Sequence, residues 1–482
     1  MNLKRMKIRF SVHHNTKREE TMAHARTIDV QDFINSHKLS RFQITIIALC
    51  FIIVAIDGFD TAAIGFIAPA LRADWQLTPG QLAPVFGAGL FGLMVGAFIF
   101  GPLADRIGRK YALILTVVFF GATSLLSAWS TSLEMLIVLR FLTGMGLGGA
   151  MPNAITLTSE FCPEKRRSFL TTVMFCGFTL GSALGGLAAA QLVASYGWPS
   201  VLLIGGIAPV AMVPLLLIAL PESVRFLVLR NAPSERIAAV LRKLAPDADL
   251  DGATFVGIAK PKGSPVAQLV RPDLIKGTLL LWLTFFMSLL VFYLLASWLP
   301  TVISGAGMSL KDASLMAMLL QIGGTIGALL IGALMDRMDP HRVLGASYAS
   351  AALFIALIGS ATVSPWLLGV AVFGAGFCLA GSQVGVNALA AGYYPTASRA
   401  TGVAWANGIG RSGSVLGSMV GGAILASGLG LPTAFAIVGL PVVIAGIAML
   451  VKERLAPQPT HATAAHVLPD TRTTGQPAAE VA

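Results

Sequence analysis

The chain has 482 residues, of which 55% are hydrophobic and 12% charged, against about 25% charged in an ordinary soluble protein. That is too little charge to cover a soluble fold of this size, which excludes a soluble enzyme, a disordered chain and a secreted disulfide scaffold and leaves a polytopic membrane protein. The net charge of +11 reports topology rather than nucleic acid: thirty of the 34 Lys and Arg residues fall in the tails, the middle of the chain and alternate connections, as the positive-inside bias predicts.

Residues 1–41 form a polar, basic tail without the pattern of a cleaved signal. The more ordinary sequence after Met22 makes the first 21 residues a candidate upstream extension. Apolar runs near 42–70, 81–102, 111–129, 134–159, 168–192 and 198–220 predict six spans, each near the ~20 residues a bilayer requires. The stretch 221–275 opens with PESVRFLVLRNAPSERIAAVLRKL and turns Pro-, Gly- and Asp-rich. It predicts a short amphipathic helix and a linker. Six more runs follow near 276–300, 311–335, 342–361, 366–390, 399–425 and 432–451. The expected division is therefore a tail (1–41), a six-helix bundle (42–220), a loop (221–275), a second bundle (276–452) and a tail (453–482), with tails and loop cytoplasmic. Cys50, Cys162, Cys176 and Cys378 lack metal-ligand spacing and read as small core residues. Six of the seven Trp residues fall near span ends, where aromatic belts belong. Trp405, inside span 11, is the exception.

The halves are copies. A shift of 231 residues maps Pro69 onto Pro300, Gly92 onto Gly323, Gly96 onto Gly327, and Asp105-Arg106 onto Asp336-Arg337. A shift of 232 then maps Gly144 onto Gly376, Gly149 onto Gly381, Arg167 onto Arg399, Gly181 onto Gly413 and Gly185 onto Gly417. Thr78-x-x-Gln81 and Ser309-x-x-Asp312 are matching helix N-cap patterns. This is a tandem duplication of a six-helix unit, and parallel repeats of that kind place a substrate site between the halves.

Gly101-Pro-Leu-Ala-Asp-Arg-Ile-Gly-Arg-Lys110 resembles the loop signature of the major facilitator superfamily, between helices 2 and 3. Gly332-Ala-Leu-Met-Asp-Arg-Met-Asp-Pro-His-Arg342 is its degenerate second copy, with Gly-Arg-Lys replaced. Asp57-Gly-Phe-Asp60-Thr-Ala-Ala-Ile-Gly-Phe-Ile-Ala-Pro-Ala-Leu71 resembles the first helix of the aromatic acid:proton symporter family. The segments Leu139–Gly148 and Arg399–Arg411 are similar to that family too. The resemblance covers roughly residues 26–455 and is nearest to the 4-hydroxybenzoate/protocatechuate transporters. It implies twelve transmembrane helices in two pseudo-symmetric bundles and import of an aromatic carboxylate with protons.

Few ionisable side chains lie inside the predicted spans. Of the 23 acidic residues only Asp57 and Asp60 are deep in one, and Glu160 closes span 4. No histidine is expected in a span, with His341 placed in a loop. A charge in the hydrocarbon costs about 2.5–3.5 kcal/mol even on insertion scales, so such residues need partners or water. A static ion pair is the plain reading of any one of them. Depth counting makes them converge: Asp60 lies roughly 13 Å before Pro69, Arg140 about 9 Å below the outer face, and Arg411 about 18 Å from the inner face. Asp57 and Asp60 share a helix face. Arg presents a planar fork of donors that matches a carboxylate, while two close carboxylates resist double ionisation. The expectation is that Asp57 and Asp60 carry the proton and Arg140 or Arg411 takes the substrate carboxylate.

Gln383 and Asn387, and Asn407 and Arg411, are four-residue pairs on shared faces. With Tyr293 they are candidates to bond a phenolic hydroxyl, although helix bridging is the plainer role. Trp405 is a candidate to stack on an aromatic ring or simply to pack. Asp105, Arg106, Arg109, Glu160, Arg166 and Arg167, with Asp336, Arg337, His341 and Arg399 opposite, are expected at the cytoplasmic ends as gating ion pairs. Helix glycines permit close approach.

The sequence thus predicts an all-α major facilitator fold in the bacterial inner membrane, a monomer partnered by a small aromatic acid, protons and lipid. No enzyme activity, metal, cofactor or nucleic-acid partner is expected. The loop carries no G-x-x-x-x-G-K-[ST] site for ATP drive. The rivals are a carrier for another organic anion, an amphiphile exporter, and a non-transporting sensor of aromatic acids.

Overall fold

The structure is a computed structural model and describes residues 27–256, 268–361, 364–395 and 398–455. Met22 and the tail beyond Leu455 lie outside the described residues. A strand, β1 (Thr27–Asp29), and a short helix, α1 (Val30–Ser36), precede six long helices: α2 (Arg41–Trp75), α3 (Pro79–Ile107), α4 (Arg109–Ser127), α5 (Leu133–Phe161), α6 (Glu164–Tyr196) and α7 (Pro199–Ala219). The centre holds α8 (Val224–Leu229), α9 (Ser234–Leu244) and β2 (Thr254–Val256). The second half contributes α10 (Ile275–Gly305), α11 (Leu310–Met335), α12 (Pro340–Ala361), α13 (Pro365–Tyr393), α14 (Arg399–Ala426) and α15 (Leu431–Leu455). Among the described residues, the six long helices of each half, twelve in all, are long and apolar enough to cross a membrane.

Local chemistry sets where these helices start. Thr78 and Gln81 close a capping box on α3, and Ser309 accepts the Asp312 amide at the start of α11 (3.1 Å). Inside each half the packing repeats: α2 lies on α6, α3 on α5 and α4 on α7, as α10 lies on α14, α11 on α13 and α12 on α15. Glycines make the crossings close. A Cβ at Gly92 or Gly96 would strike the carbonyls of Phe141 and Met145, and one at Gly323 or Gly327 those of Phe373 and Phe377. Gly181 faces the Ala55 carbonyl as Gly413 faces that of Phe286. The contacted residues are themselves 231 or 232 apart, so the duplication holds for the partners as well as the glycines.

The halves meet through α2 with α10, α6 with α11, and α3 with α14. Their close contacts lie toward the face opposite the termini, the distal face. Gly65 packs on the Ala296 carbonyl, Gly422 on the Pro79 carbonyl and Ala83, and Phe86 meets Trp298 edge-on at 5.0 Å. At mid-depth the Thr325 and Thr179 hydroxyls lie 2.7 Å apart. Toward the terminal face, the bonds of Arg230 to the Arg106 carbonyl, Arg342 to Glu453 and Tyr393 to the Leu274 carbonyl each stay within one half. The central cavity is sealed distally.

Three details differ from the sequence expectation. The central stretch holds two helices rather than one, and β2 pairs in parallel with β1, Thr27 beside Thr254. Val30 and Ile34 of α1 then share a core with Ile237 and Leu241 of α9 and with Ile46 and Ile47 of α2. Residues 27–36 and the described part of the central segment up to Val256 therefore pack on the N-terminal bundle. Trp198 and Trp298 are buried rather than belted, because their indoles donate to Asp74 (2.9 Å) and to the Ser418 carbonyl (2.6 Å). His341 lies in the first turn of α12 instead of a loop.

Candidate functional site

Between the halves lies a cavity of about 630 Å³, open solvent included. Its walls come from α2, α3, α5 and α6 on one side and α10 and α11 on the other. Phe86, Phe178, Phe292, Leu90 and Leu147 make it largely apolar, and Asp60, Thr61, Arg140, Ser182, Tyr293, Ser297 and Gln321 supply its polar groups.

The intramembrane charges separate into two groups. Asp60 (2% exposed) and Arg140 (3%) form an ion pair at 3.2 Å within the N-terminal half. Ser124 donates to the second carboxylate oxygen at 2.5 Å. Arg140 Nη2 donates to Ser127 (3.2 Å) and Thr143 (3.3 Å), while its Nε is buried without a partner among the described residues. Gly205 of α7 leaves the room this cage needs, since a Cβ there would lie 3.1 Å from Asp60 Oδ1. Its hydroxyls are the partners a buried pair requires.

Asp57 and Arg411 face each other across the boundary between halves. Asp57 is fully buried, accepts one bond from Thr61 (3.2 Å), and leaves its other oxygen without a partner. The Arg411 guanidinium acts on it electrostatically from α14. Among the described residues Arg411 forms no ion pair: it donates to Tyr293 Oη at 2.9 Å and approaches Met151 Sδ of the other half at 4.0 Å. A bidentate donor with no carboxylate partner, beside a cavity with aromatic walls, is a ready acceptor for an organic anion.

The other sequence candidates sit elsewhere. Asn407 donates to Asn387 (2.9 Å), which donates to the Gln383 carbonyl (2.8 Å), so the amides tie α14 to α13. The Gln383 side-chain amide itself has no partner among the described residues. Trp405, 45% exposed, stacks on Trp282 with ring centres 6.0 Å apart. At the terminal face Asp105 pairs with Arg109 (2.6 Å), and Arg230 donates to the Arg106 carbonyl (2.7 Å). Glu160 accepts from Ser223. His341 lies between Asp339 and Lys452, 3.4 Å from each. Asp336, Arg337, Arg166 and Arg399 are exposed and Arg167 is half-buried.

Two functional positions escape the sequence reading by charge and spacing. Glu222, buried, accepts from the backbone amides of Arg109 (2.8 Å) and Lys110 (3.3 Å) and so caps α4 from 113 residues away. Gln321 is an amide interrupting the apolar run of α11, a visible signal that its lack of charge left unweighted.

The model of the Major Facilitator Superfamily matches residues 50–344 and 281–473. The chain belongs to that superfamily. As a member it resembles a gallate transporter of Pseudomonas putida, 47% identical over 88% of this chain and 94% of the relative. It also resembles the 4-hydroxybenzoate transporter PcaK of Pseudomonas aeruginosa, 46% identical over 88% of this chain and 96% of the relative. The inward-open structure of the xylose transporter XylE from E. coli has the same fold, with a TM-score of 0.67 at 18% identity over 87% of this chain and 98% of that one. This superfamily member is a multi-pass membrane transporter, not an enzyme.

Proposed function

We propose that the chain imports an aromatic carboxylate together with protons across the bacterial inner membrane, by alternating access, as a monomer with both termini in the cytoplasm. One observation carries this reading: the Arg411 guanidinium, which forms no ion pair among the described residues, donates to the cavity-lining Tyr293 and acts electrostatically on the buried Asp57 carboxylate. The aromatic walls of the cavity and the substrates in the relatives' names support the ring. The basic residues of the tails and central segment support the orientation.

Coupling follows from competition for one positive charge. A substrate carboxylate bound at Arg411 takes the counter-charge that Asp57 shares when the site is empty. An uncompensated carboxylate at that depth is costly, and binding a proton relieves it. Asp57 is then loaded only when the anion is present, and proton and anion leave on the same side. The Asp60–Arg140 cage holds the helix face that presents Asp57.

Uptake of labelled 4-hydroxybenzoate into membrane vesicles, with pH and voltage gradients imposed separately, tests the reading. One proton per monoanion moves no net charge and draws on the pH gradient alone, about 1.4 kcal/mol per unit. A second proton adds the potential, about 2.3 kcal/mol per 100 mV. Asp57→Asn is expected to exchange substrate across the membrane without accumulating it. Full accumulation by that variant would end the proton assignment. Robust binding without any uptake by the wild type would favour a sensor.

A further inference from the structure

We propose that Gln321 is the residue that selects a ring hydroxyl on the substrate, so that the transporter discriminates hydroxylated from unsubstituted benzoates. The assignment rests on the aromatic-acid transport reading above and deepens it.

The observation is an amide with nothing to bond. Gln321 is 3% exposed, lines the cavity, and its Oε1 is buried without a hydrogen-bond partner among the described residues. The backbone is, by contrast, fully engaged: the Gln321 carbonyl accepts from Thr325 (3.0 Å), whose hydroxyl meets Thr179 of the other half. The backbone is therefore anchored at this position while the Oε1 acceptor is unspent. A buried polar group left unpaired costs about 1–3 kcal/mol. A hydroxyl, donor and acceptor together, is the group an amide can pair with at either end.

Position makes that hydroxyl a ring substituent far from the carboxylate. α11 packs on α6 and α14 on α3, so Gln321 and Arg411 stand on opposite side walls, with α10 between them. Gln321 is eleven residues from the distal start of α11 and Arg411 fifteen before the distal end of α14, depths of about 16 and 22 Å. Tyr293, Phe292 and Gln321 line the same cavity and Tyr293 bonds Arg411, so a benzoate whose carboxylate met Arg411 and Tyr293 would lie beside Phe292 with its far edge toward Gln321. Ser182, on the facing wall of α6, donates to the Gly58 carbonyl (2.9 Å) and keeps lone pairs free for a second hydroxyl. A site built to bond a substrate hydroxyl rejects the analogue lacking it far more strongly than an apolar pocket distinguishes a methylene.

The test measures KM for labelled 4-hydroxybenzoate and for benzoate in vesicles carrying the wild type, Gln321→Met or Gln321→Leu. The wild type is expected to favour 4-hydroxybenzoate at least tenfold. Both variants should raise its KM at least tenfold and leave the KM for benzoate level or lower, so benzoate uptake reports a folded carrier. An unchanged ratio of the two KM values overturns the assignment. So does an equal loss of both substrates, which is the signature of a purely structural side chain. Wild-type vesicles inert toward both acids would overturn the transport reading itself.

Discussion

Asp60 and Arg140 form an ion pair inside the N-terminal half. Each is almost wholly buried, and three hydroxyls from α4 and α5 complete the cage. Removing one member of such a pair leaves an uncompensated charge and costs about 3–5 kcal/mol, whereas removing both is often tolerated. Arg140→Gln is therefore expected to lower the melting temperature of the purified protein sharply. Adding Asp60→Asn should recover most of the loss, and a double variant no more stable than the single would refute the static pairing. Arg411 is expected to behave oppositely. Among the described residues its side chain donates to Tyr293 and reaches Met151 Sδ, with no ion pair, so Arg411→Lys should leave stability nearly intact while raising the substrate KM, since an ammonium lacks the planar fork. The sequence placed all four charges in the membrane and at compatible depths. It could not divide them into pairs, because depth fixes a level while rotation about each helix axis decides which neighbour a side chain meets.

Helix ends and crossings were legible to different degrees. The glycine ladder could be read from the duplication, and the same carbonyls stand opposite the same glycines in both halves. The terminal-face loops were legible only as charge. In the first copy Gly108 has φ +102° and packs against the Glu222 carboxylate, which caps α4 through the Arg109 and Lys110 amides. In the second copy Asp339 stands at the matching position and caps α12 itself, accepting from the His341 (2.9 Å) and Arg342 (3.2 Å) amides. The lost Gly-Arg-Lys is thus a change in where the cap comes from. Glu453, which the 231-residue shift matches to Glu222, is freed to bind Arg342 (2.7 Å). A carboxylate cap is worth about 0.5–2 kcal/mol, so Glu222→Ala should destabilise by that order, with Glu222→Gln retaining part of it. Gly108→Ala should cost more, from the left-handed backbone and a collision with Glu222. Equal stability of Glu222→Ala and wild type in a denaturation series would remove the cap from the account. The pairing of β1 with β2 had no comparable signal, for its two strands are three residues each and 227 positions apart.

At the scale of the whole molecule, the two halves touch along a distal seam and part toward the terminal face, and transport requires that seam to open. At its crossing of α3 with α14, a Cβ at Gly422 would lie 2.8 Å from the Pro79 carbonyl oxygen and 3.0 Å from the Ala83 Cβ. A disulfide spans Cβ atoms about 3.5–4.5 Å apart, so bridging Ala83→Cys with Gly422→Cys requires the two helices to part by about 1 Å, a shift that also frees the Gly422 side from the Pro79 carbonyl. Cys50, Cys162, Cys176 and Cys378 are free thiols and must first be replaced. Oxidation of the double variant is expected to stop uptake and counterflow alike, because both need the distal side to open. Binding of 4-hydroxybenzoate from the terminal side should survive, since Arg411 and Gln321 keep their places when the seam is closed. Reductant should restore transport, and each single cysteine variant should ignore the oxidant. Transport that continues through a quantitatively formed cross-link would mean the halves do not rock about this seam. A cross-link that abolishes binding as well would mean that the cavity between Arg411 and Gln321 is loaded only when the distal face is open.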